Sequence, residues 1–177
     1  MKSIKGLIWV VVICVVAPAM ARGQGTNPVS AAVQQSAAQY TKLLVGSVEA
    51  MPSNKFGYSP TPAQMTFGKL AEHMQEFNNT ICSKLSDTPA PQEKVKDTDT
   101  KETLLAALKS SMDYCTQVAS KLDDSKMGNM VPWFGGREAT MATAVFTLTN
   151  GWHDHYAQAA IYLRLNGVLP PTAQPAK

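Results

Sequence analysis

The side chains best suited to chemistry in this 177-residue chain are three histidines, His73, His153 and His155, and three cysteines, Cys14, Cys82 and Cys115. His153 and His155 flank Asp154 in the stretch GWHDHYAQAAIYLRLNGVLPP, residues 151–171. His73 stands in FGKLAEHMQEF, with Glu76 about one helical turn further on. Imidazoles exchange protons near neutral pH and ligate metals, so any chemistry is expected around these positions. Two residues along a helix turn by about 200°, which would point His153 and His155 to different faces. The nine methionines are too scattered to form a copper-binding tract.

The cysteines have to be read with the start of the chain. Lys2 and Lys5 precede an apolar run at 7–17 that is too short for a comfortable membrane span. Pro18 breaks the run, and Ala19-Met20-Ala21 forms a small-residue cleavage site. These features predict a secretory signal peptide over residues 1–21 and a periplasmic or secreted protein with no stable membrane span after cleavage. Cys14 would leave with the leader; bulky Ile13 before it does not suit a lipoprotein cysteine. Cys82 and Cys115 then remain in an oxidising compartment, where a disulfide is the default. Without Lys2 and Lys5 the 16 basic residues fall to 14, against 13 acidic ones. A chain this near neutrality gives no electrostatic reason to expect nucleic acid as a partner.

Four amphipathic segments must position these residues. The first spans about 28–51, with Val33, Ala37, Tyr40, Leu44 and Val48 on its apolar stripe. The second is expected to open at Thr61-Pro62, with Phe67, Leu70, His73 or Met74, Phe77, Ile81 and Leu85 facing inward. The third covers about 101–124, with Leu104, Leu108, Met112, Cys115, Ala119 and Leu122. The fourth runs from about Arg137 to Asn166, with Leu148, Trp152, His155, Ala159 and Tyr162. Gly167 can take a left-handed C-terminal conformation and Pro170-Pro171 cannot continue a helix. No strand pair, repeat or phosphate loop is expected. The pattern is that of an all-α four-helix bundle over 28–171, with a flexible tail at 172–177.

The connection over residues 87–100 is polar and longer than an antiparallel hairpin needs. A helix of about 24 residues is roughly 36 Å long, and fourteen extended residues reach roughly 46 Å. The chain can therefore cross back along the bundle and start the third helix parallel to the second. Parallel helices would leave Cys82 and Cys115 roughly 8 Å apart in height, against roughly 15 Å in a tight hairpin.

FGKLAEHMQEFNNTICSKL, a helix ending in DYC, WFGG, and the ending HDHYAQAAIYLRLNGVLPP together resemble the DinB-like superfamily of four-helix bundles. The most specific part is His155-Tyr156-x-Gln158, then Tyr162-Leu163-Arg164, Gly167 and Pro170-Pro171. The resemblance covers nearly all of the chain after the leader. It implies an up-down-down-up bundle with a long crossover between helices two and three, in agreement with the loop-length argument.

It also implies a divalent metal held by three histidines, one from helix two and an H-x-x-x-H pair from helix four. His73 matches the first and His155 the last, but the remaining position carries Gly151. A third ligand would have to come from His153, Glu76 or Asp154. Two imidazoles and one carboxylate suit Zn, Ni or Fe. A histidine restored at 151 is expected to stand on the face of His155, strengthen metal binding and stabilise the helix. The resemblance thus implies a metal-dependent hydrolase or thiol transferase acting on a small molecule. The alternative is a metal-free, non-catalytic binding or stress-related bundle, in which the same histidines are interior residues; a homodimer is compatible with either. The exported protein is expected to begin at Arg22, which N-terminal sequencing checks; material still beginning at Met1 would contradict it.

Overall fold

The computed structural model describes residues 27–175; the leader expected over 1–21 lies outside them. The four helices are α1 (Pro28–Ala50), α2 (Phe67–Lys84), α3 (Lys101–Ser120) and α4 (Met141–Leu165). In cross-section α2 packs on α3, α3 on α1, α1 on α4 and α4 on α2. The expected stripes of α1, α3 and α4 are buried throughout, and α2 buries Phe67, Leu70, Met74, Ile81 and Leu85. The apolar periodicity therefore selects the faces that meet. None of the helices among the described residues is long and apolar enough to cross a membrane.

Paired positions give the directions. Asn78 Nδ2 donates to Ser111 Oγ at 3.0 Å, and one turn further Cys82 meets Cys115 with Cα atoms 5.5 Å apart. Both numbers rise together, so α2 and α3 are parallel. His73 meets His155 while Phe67 meets Tyr162, so α2 and α4 are antiparallel. The bundle is up-down-down-up. Helices α2 and α3 end two and five residues after their cysteines. That offset is smaller than the expected helix ends implied, and the cysteines stand at disulfide distance.

The crossover after α2 climbs back along it. Asn79 Nδ2 donates to the Pro91 carbonyl at 3.3 Å and Gln75 Nε2 reaches that of Glu93 at 3.5 Å. Near the top, the Asp97 carbonyl lies so close to Gly68 that a Cβ there would overlap it. Tyr114 donates from α3 to the Thr88 carbonyl at 2.6 Å, holding the lower end.

Three helix boundaries differ from the expectation. Helix α2 starts at Phe67, with Thr66 Oγ1 accepting from the Lys69 N–H at 3.0 Å. The preceding loop folds onto this end, with the N–H groups of Phe67 and Gly68 donating to the carbonyls of Tyr58 and Phe56. That arrangement leaves no room for a helix from Pro62. Helix α3 stops at Ser120, four residues early. Helix α4 starts at Met141, because residues before it form the second strand of a small hairpin, β1 (Met130–Pro132) with antiparallel β2 (Glu138–Thr140). Gly135 and Gly136 turn the hairpin at φ of 67° and 71°. No strand pair was expected, but both strands are only three residues long and the fold is the expected all-α four-helix bundle.

At the lower end Asp124 caps α1 from a distance. Its carboxylate accepts from the N–H groups of Val29 and Ser30 at 2.8 Å each, and from Ser30 Oγ at 2.6 Å. An anion there also offsets the positive end of the helix dipole. At its far end α4 closes as expected. Gly167, at φ 71°, donates to Arg164 O and Val168 donates to Leu163 O. The chain stays attached beyond this, since Tyr156 Oη donates to Thr172 Oγ1 at 2.7 Å.

Free thiols should be absent from exported protein under denaturing, non-reducing conditions. Reduction should lower stability by about 3–4 kcal/mol, the loop-closure value for the 33-residue separation. Urea midpoints with and without reductant check this; equal midpoints would show no contribution from the bond.

Candidate functional site

His73 on α2 and His155 on α4 are brought together in the middle of the bundle. Their ring centroids are 5.0 Å apart, with the planes at 83°. Phe77, one turn from His73, sets its ring edge-on to His155, at 4.8 Å and 89°. His155 is only 3% exposed and its Nδ1 has no hydrogen-bond partner. Burial first, and then the like charge of His73, lower the His155 imidazole to about 4, with Asp154 acting the other way. It is therefore neutral at physiological pH.

The floor of this site is a hydrogen-bonded core. Trp152 Nε1 donates to Asn78 Oδ1 at 2.9 Å, and Asn78 passes the connection on to Ser111. All three residues are buried. This network fixes the rotation of α2 against α4, and so the side on which Phe77 and His155 meet.

Gly151 faces the same place. A Cβ built on it would overlap the Phe77 ring. A histidine at 151 therefore fits only if the partly buried Phe77 ring moves, a condition that the expectation of a restored ligand did not include. A mid-helix glycine is about 1 kcal/mol worse than alanine. Here it has a packing reason, the close approach of an aromatic ring.

The other candidate ligands are elsewhere. His153 turns toward α1, its ring 4.6 Å from that of Tyr40 and its Nδ1 3.2 Å from the Thr149 carbonyl. Asp154 is exposed and accepts from Gln158 Nε2 at 2.8 Å. Glu76 is exposed beside the crossover, with Gln75, Asn79 and Glu93. Among the described residues no three His, Cys, Asp or Glu side chains stand together in a way that could hold a metal ion. The donor set at the centre is two imidazoles, one of them buried against an aromatic edge. It does not fit a three-ligand divalent metal. Sequence reasoning placed Phe77 on the inward stripe but missed its role. The available signal was a glycine inside an apolar helix, opposite an aromatic residue.

A profile of the DinB superfamily matches residues 37–159, more than half of the chain. The chain belongs to the DinB superfamily. Solved structures agree on the fold. A DinB-like protein from Bacillus cereus superposes with a TM-score of 0.66 at 19% identity, covering 78% of this chain and 93% of that one. A DinB-like protein from Bacillus subtilis gives 0.65 at 15% identity, covering 82% and 99%. The chain matches none of the curated proteins.

The depressed His155 value sets a pH dependence. Between its usual 6.5 and about 4 the unfolded chain binds a proton that the folded chain does not. Stability should be full above about pH 6.5 and fall by up to about 3 kcal/mol as the pH drops toward about 4. His155→Leu should flatten this slope relative to wild type in urea titrations. A variant that keeps the full slope would assign the proton to another group.

Proposed function

We propose that this protein is an exported, metal-free member of the DinB superfamily that acts by binding and not by metal-dependent hydrolysis or thiol transfer. The observation that carries this reading is the overlap between Phe77 and any side chain at 151. A third ligand next to His155 would need that space. The two remaining imidazoles would hold Zn, Ni or Fe weakly, because two ligands leave half of a tetrahedral shell to water. Export is supported by the leader pattern and by the close pair Cys82 and Cys115, which suits an oxidising compartment.

The test is metal content and calorimetric titration with Zn and Ni on protein purified without a histidine tag. Wild type should carry no stoichiometric metal and show no saturable site. Gly151→His alone should remain without a site and lose about 1–3 kcal/mol of stability through overpacking. Phe77→Ala combined with Gly151→His should gain a saturable site that His73→Ala removes. One equivalent of metal in wild type, lost on His73→Ala, would overturn the reading.

A further inference from the structure

A groove of about 520 Å³ lies between α1 and α4, on the opposite side of α4 from its contact with α2. The size falls within the roughly 300–1,000 Å³ range of small-molecule sites. Helices α1 and α4 are parallel, so residue number measures height along it. Its lower walls are apolar, from Val29, Val33, Met127 and Val145, and Phe146 stands at its lip 66% exposed. Its upper end is polar, from Ser36, Asn150 and His153. Among the described residues, none that lines it is Lys, Arg, Asp or Glu.

The His153 imidazole is oriented by two neighbours. Its Nδ1 lies 3.2 Å from the Thr149 carbonyl, which can only accept, so that nitrogen carries the hydrogen. In the neutral ring the lone pair on Nε2 is then left for another donor. The Tyr40 ring, 4.6 Å away, fixes the ring from the core side. Among the described lining residues an anionic head would find no lysine or arginine, and a cationic one no carboxylate; either would leave water without such a counter-charge. A wholly apolar molecule would strip water from the polar end without replacing its hydrogen bonds.

We propose that this groove binds an uncharged apolar molecule with a hydroxyl at one end, an aliphatic alcohol or a phenol, its hydroxyl at the His153 end. The proposal rests on the reading of the chain as a binding protein, and it names the site and the ligand class.

The probe is 1-octanol, titrated into the exported chain beginning at Arg22 and followed by amide NMR and calorimetry. Saturable shifts should appear at Val29, Ser36, Phe146 and Asn150. Octanoate and octylamine, with the same chain and a charged head, should bind at least about tenfold more weakly, the equivalent of 1.4 kcal/mol. Ala32 lines the groove and is exposed, so Ala32→Trp should fill it and abolish the shifts while the rest of the spectrum is kept. His153→Leu should remove the preference for octanol over octane. Equal affinity for octanol and octanoate, shifts outside the groove, or no saturation would overturn the proposal. So would groove shifts that follow protein concentration without alcohol, which assign the groove to a second copy. Binding that appears only after deletion of residues 22–26 would assign the groove to the chain's own N-terminal segment and would overturn the proposal equally. Metal content measured on the same sample separates the two readings: a metal-free protein that ignores octanol overturns the groove proposal alone.

Discussion

The centre of this bundle is organised by a missing side chain. Gly151 lets the Phe77 ring lie against the α4 backbone, and the ring in turn packs perpendicular to that of His155. An aromatic ring is large, so with Phe77 in this position the space beside Gly151 is filled. His155 is left buried and neutral, with one ring nitrogen unpaired. In this DinB-superfamily bundle the two central imidazoles therefore meet beside an aromatic ring, and the groove lies on a different face of the same helix.

Two long-range ties keep this packing in register. The buried Trp152–Asn78–Ser111 connection joins α4, α2 and α3 just beside Phe77. Cys82 and Cys115 meet one turn below, and both are fully buried. At the lower end Asp124 caps α1 across the bundle, which fixes the start of α1 against the α3–α4 connection. The groove between α1 and α4 opens directly above this tie. Its apolar lower walls and polar upper end therefore rest on elements anchored at both ends, at Asp124 below and at Tyr156 and Thr172 above.

Much of the architecture was legible in the sequence. The apolar stripes named the buried faces, because a 3.6-residue period leaves little choice of which side meets the core. The length of the 87–100 connection gave the parallel pair, because a short hairpin would have needed no such reach. The boundaries of α2 and α4 were misplaced for a common reason. Thr66 and Thr140 are the real caps, each accepting from the N–H three residues on, but Thr61-Pro62 and Arg137 stood earlier in plausible places. Only tertiary hydrogen bonds, from the 52–66 loop and from the three-residue hairpin, decide between them. At the site, the absence of a ligand at 151 was visible; the ring that fills its place was not. That depends on the height of α2 against α4, which the buried Asn78 network sets and periodicity does not.

The most direct measurement is a double-mutant cycle in unfolding free energy between positions 77 and 151. If the ring and the glycine occupy complementary space, Gly151→Ala should destabilise the wild type by about 1–3 kcal/mol through overlap with Phe77. In the Phe77→Ala background the same change should be neutral or stabilise by up to about 1 kcal/mol, the helix preference for alanine over glycine. Additive effects, with Gly151→Ala acting alike in both backgrounds, would contradict the account.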